Sequence, residues 1–207
     1  MFVAAPVSLP PAMPFRLSIP LLLAAVLGLT QCQENNGYPV YPMPDATQTG
    51  ANTAGCVVDG HRWVASDYNT SIGVPHSGPV GAHWLNHTFG GPNLQVLMKK
   101  TVADESDVHN DTAIVLTVAG ADRPGTYVLD QAPAPGGFTP TSAASFTYTQ
   151  KRTVEPFLTG PGFTGRMVVT RLDTVARIVS GTFEFTARQA GPGATVRVTD
   201  GRFDTTF

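Results

Sequence analysis

Two-residue alternation near the C-terminus constrains this chain more than any other feature. In Gly181-Thr-Phe-Glu-Phe-Thr-Ala-Arg188, Phe183, Phe185 and Ala187 share one side of an extended backbone. Thr182, Glu184, Thr186 and Arg188 share the other. Strand side chains alternate between faces, so this stretch buries one face and wets the other. Thr195-Val-Arg-Val-Thr199 repeats the pattern, and Arg202 to Phe207 closes the chain. Gln189–Gly193 and Asp200-Gly201 read as turns, which puts Phe183, Phe185, Val196, Val198 and Phe203 on inward positions.

The same period recurs upstream. Leu94, Val96 and Met98 alternate with Gln95, Leu97 and Lys99. Tyr127-Val-Leu129, Ser145–Thr149, Arg166–Leu172 and Arg177–Ser180 are further strand candidates, the last two joined at Asp173-Thr174. Ala113–Ala119 is apolar throughout and predicts a central strand covered on both faces. Asp59-Gly60 stands between Cys56-Val-Val and His-Arg-Trp-Val-Ala65, the strongest short-range hairpin signal. Beyond an N-terminal apolar run, no segment carries a helical period. The fold class is therefore all-β, a single antiparallel β-sandwich or barrel-like domain over residues 55–207.

The N-terminus sets the expected location. Arg16 precedes an apolar run from Leu17 to Leu29, and Cys32 follows it. Spanning a bilayer takes about 20 apolar residues, so the run fits a secretory signal instead. A cysteine directly behind it resembles a bacterial lipobox, with Leu29 and Thr30 fitting and Gln31 departing from the usual small residue. Residues 1–31 are read as signal peptide, with Met13 an alternative start. Residues 32–54, rich in Pro, Gly, Asn and Thr, are read as a lipidated Cys32 and a disordered tether. Gln33-Glu34 resembles an export signal of surface lipoproteins. The resemblance implies an exported protein anchored to the lipid bilayer through acylated Cys32, in the outer membrane.

Composition narrows the partners. With Lys+Arg 13 against Asp+Glu 15, the chain is weakly acidic and lacks the basic stripe that nucleic acid requires. Of two cysteines, acylation of Cys32 would leave only Cys56, so no internal disulfide is expected.

Few residues suggest chemistry. His83-Trp-Leu-Asn-His87 has the spacing that aligns two imidazoles on a helix, but no Glu lies between them and Gly81 and Gly90 favour a loop. His61 and His76 could join such a site. Asp104-Glu-Ser-Asp107 to Asp111 concentrates carboxylates between two strands; it matches no EF-hand and reads as a solvated loop. His83, His87, Asp104 and Asp107 are thus weak metal candidates only. Cys56 reads as a buried hydrophobe rather than a reactive thiol. Gly160–Gly165 lacks the Lys and helix of a phosphate loop. Trp63, Trp84 and Tyr68 read as core rather than cleft. No catalytic residue and no cofactor are expected.

Gly55-Cys-Val-Val-Asp-Gly-His-Arg-Trp-Val-Ala65, Gly125-Thr-Tyr127 and Ser180-Gly-Thr-Phe-Glu-Phe-Thr-Ala…Val-Thr-Asp-Gly-Arg-Phe-Asp204 resemble a domain family of unknown function. Its members are small secreted lipoproteins of Bacteroidota. The resemblance implies a lipoprotein and supplies no activity. The expected role is a non-enzymatic binding or structural module. A metal-dependent hydrolase and a carrier of a small apolar ligand are the alternatives.

Overall fold

A computed structural model describes residues 41–67, 78–85, 91–103, 109–133, 141–150, 153–189, 191 and 193–207. The signal segment, Cys32, Tyr68, His76, His87, Asp104 and Asp107 lie outside these residues. Among those described there is no helix. Eleven strands form one antiparallel sheet: β1 (Thr53–Val58), β2 (His61–Val64), β3 (Val80–Leu85), β4 (Asn93–Ala103), β5 (His109–Ala119), β6 (Gly125–Leu129), β7 (Ala143–Gln150), β8 (Thr153–Leu158), β9 (Gly165–Asp173), β10 (Ile178–Gln189) and β11 (Thr195–Thr206).

The main path runs β2-β1-β11-β10-β8-β7-β5-β4-β3, and β9 and β6 branch from β10. β10 is long enough to serve both branches. Ile178 to Phe185 pair with β9, while Arg188 and Gln189 pair with β8. The sheet curls into a barrel-like all-β domain. Beyond β2, Ala65 donates to the Ala54 carbonyl at 3.0 Å, and Ser66 exchanges backbone hydrogen bonds with Lys99 and Thr101. Residues 65–66 therefore bridge β1 to β4, strands far apart in the path.

Alternation decides what lies inside the curl. Leu94, Val96 and Met98 of β4 and Ile114, Leu116 and Val118 of β5 are fully buried. Phe183, Phe185, Val196, Val198 and Phe203 join the same core cluster, as their inward parity requires. Both tryptophans tie the curl together through their polar ends. Trp63 Nε1 donates to Thr112 Oγ1 and Trp84 Nε1 to the Ala121 carbonyl, each at 2.8 Å.

Three expectations are corrected. Ala113, Val115 and Thr117 of β5 are only half-buried, so this central strand is fully covered on one face alone. His83 lies on strand β3 rather than in a loop. Asp200-Gly201 makes no turn, because β11 continues through it as one strand.

The irregularity at Asp200 is a β-bulge. Phe183 and Phe185 of β10 face Gly201 and Val198, and Gly55 and Val57 of β1 face Arg202 and Thr199. On both sides β11 carries one residue more than its neighbour. Asp200 takes the left-handed backbone this needs, with φ +53°. The extra residue switches parity: alternation from Val196 would aim Asp204 into the core, but the bulge turns Phe203 into the core and sets Asp204 on the opposite face beside Ser180.

Candidate functional site

The residues singled out for metal chemistry do not meet. His83 is exposed on β3 opposite Gln95, and His61 is exposed on β2 opposite Val58. No three His, Cys, Asp or Glu come within metal-binding range among the described residues. His83 instead borders an open cleft of about 540 Å³, where β3 and Lys99 face Asn52, Thr206 and Phe207. Trp84 and Phe207, with ring centroids 6.2 Å apart, pack across this seam.

Cys56 is fully buried in β1. Burial pushes its thiol up to about 12, against a weaker downward pull from the Lys100 ammonium. Burial likewise lowers Lys100, opposed by Cys56. Thiolate is the nucleophilic form, so this cysteine is chemically quiet near neutral pH.

The polar centre of the domain is one that sequence reading missed. Asp204 is 1% exposed because residues 47–52 form a strap across it. Its Oδ2 accepts from Thr47 Oγ1 at 2.6 Å, Thr49 N at 2.9 Å and Ala51 N at 3.2 Å. Its Oδ1 accepts from Gly50 N at 2.8 Å and Ser180 Oγ at 2.7 Å. Burial alone would raise this carboxyl, yet the hydrogen bonds from Thr47, Ser180, Thr49 and Gly50 outweigh it and hold it well below the usual carboxylate range. Asn52 Oδ1 extends the fastening by accepting from Thr205 Oγ1 and Thr206 N. Arg171 Nη1 reaches the Gln48 carbonyl from β9. The strap's Thr, Gly and Asn read as tether because their partners lie more than 150 positions away along the chain.

Beside the strap, the outer face of β9, β10 and β11 carries two adjoining recesses. One, of about 260 Å³, is bounded by Ala46 just before the strap, Thr182 and the bulge at Asp200-Gly201. The other, of about 340 Å³, is lined by Thr164, Thr186, Arg197 and Thr199. Arg166 and Glu184 border both, joined by an ion pair at 2.9 Å. The backbone of Arg197 is clamped by Asp59, whose Oδ1 accepts from Arg197 N at 2.8 Å. No carboxylate pairs with the Arg197 guanidinium among the described residues. Such a surface can bind polar or charged groups but shows no nucleophile–base pair.

The model of one protein family, a domain of unknown function (DUF6252), matches residues 106–205. That match spans β5 to β11 and the residues of both recesses except Ala46, but leaves out β1 to β4 and the strap. No curated protein matches the chain. No solved structure matches it either.

Proposed function

We propose that this protein is an envelope lipoprotein whose β-domain is a non-catalytic binding or structural module, held at the outer membrane by acylated Cys32. One observation carries the reading: Arg16, the apolar run Leu17–Leu29 and Cys32 stand in lipoprotein order. The likeness to secreted lipoproteins of Bacteroidota supports it. The strap suits such a role, because it fastens the chain to the domain shortly after the anchor. From Gln33 to Ala46 the backbone can reach at most roughly 50 Å, so the domain works close to the lipid surface. One acyl chain anchors only marginally, so the several chains of a bacterial lipoprotein matter.

Fractionation of cells expressing the full chain tests this. Wild-type protein should pellet with membranes, and Cys32→Ser should move to the soluble fraction. A Cys32→Ser protein that stays in the membrane pellet contradicts the reading.

A further inference from the structure

We propose that the paired recesses on the outer face of β9, β10 and β11 bind an acidic oligosaccharide, a chain of sugar rings bearing carboxylates. The proposal rests on the binding-module reading but not on the lipid anchor. Its first support is shape. The recesses adjoin across the Arg166–Glu184 pair and hold about 260 and 340 Å³. Each lies at or below the small end of ligand-pocket sizes, roughly 300–1,000 Å³. Two such sites in a row suit successive units of one oligomer better than a single compact ligand.

Chemistry supplies the second support. Thr164, Thr182, Thr186 and Thr199 put hydroxyls along the recesses, each able to donate and accept, as sugar hydroxyls require. Arg197 is exposed and fixed at its backbone by Asp59, so its guanidinium stands ready for a carboxylate. Nucleic acid fits poorly, because these recesses offer no exposed aromatic platform for bases.

The third support is the bulge. β11 could run regularly beside β1 and β10 with one residue fewer, yet Asp200 is inserted where the recesses meet the strand. Bulges re-aim side chains at functional edges. Here the bulge leaves Gly201, which has no side chain, on the floor of one recess and turns Arg202 toward the segment before the strap, where it donates to the Pro44 carbonyl at 3.4 Å.

The ion pair gives the test its edge, since Glu184 competes with any ligand carboxylate for Arg166. Titration calorimetry on the full chain in detergent would use oligogalacturonate and a malto-oligosaccharide of equal length. Oligogalacturonate should bind about tenfold more tightly than the neutral chain. Arg197→Gln should weaken oligogalacturonate by about tenfold, and Glu184→Gln should strengthen it several-fold by releasing Arg166. Arg123→Gln, before β6 and away from the recesses, should change nothing. Equal affinity for the two oligomers, no binding of either, or indifference to both Arg197→Gln and Glu184→Gln overturns the proposal. Because binding is read without fractionation, these results leave the Cys32 anchor to stand or fall separately.

Discussion

Two Asp-Gly pairs in this chain have the same letters and opposite fates. At Asp59-Gly60 both residues take left-handed backbone, φ +48° and +83°, and the chain reverses between β1 and β2. At Asp200-Gly201 only the aspartate does so among the pair, and β11 runs straight on. The difference lies in what each glycine meets. A Cβ on Gly60 would find open space, so that position asks only for the backbone angle. A Cβ on Gly201 would lie 2.5 Å from the Phe183 carbonyl oxygen and 2.6 Å from its ring. A hairpin signal is thus a statement about backbone angles, and neighbouring strands decide whether those angles make a turn or a bulge.

Substitutions can break this comparison. Gly201→Ala should cost the most, about 3 kcal/mol in urea melts, because backbone rather than a pliable side chain stands in the way. Gly60→Ala should cost only about 1 kcal/mol, for the left-handed angle alone. Equal costs at the two sites would erase the distinction.

Between them falls Asp204, the residue that the bulge turns outward to the strap. Asp204→Asn should cost about 2 kcal/mol, since donors from the strap lose their charged acceptor. The pH dependence has a definite sign. The folded carboxyl titrates below its unfolded value of about 3.9, so its contribution is complete above that pH and is lost as pH falls through the folded value. Wild-type stability should therefore fall below about pH 4, and Asp204→Asn should flatten that leg of the curve. An unchanged acid leg would mean that the strap does not depend on this carboxylate.

Legibility in the sequence followed the range of the forces involved. Strands with strict alternation, such as Leu94–Met98 and Phe183–Ala187, could be read because burial of one face is written locally. The His83–His87 segment reads as loop because Gly81 and Gly90 bracket it, while the pairing that makes His83 part of a strand is supplied by β4. β8 went unread because it carries Pro156 and mostly exposed residues. Phe203 faces inward whether Asp200-Gly201 makes a turn or a bulge, because either resets parity. The strap and the recesses were invisible, since each exists only where distant segments lie side by side.

The central structural claim is that β11 is one bulged strand, paired on both sides of Asp200. Cross-strand proton contacts in NMR spectra of the full chain test it most directly. Contacts from Phe185 to Val198 and from Gly181 to Phe203 should appear together, with Thr53 meeting Asp204 on the other side. Contacts between Thr199 and Arg202, with residues 195–199 folded back on 202–206, would show a hairpin and contradict the account.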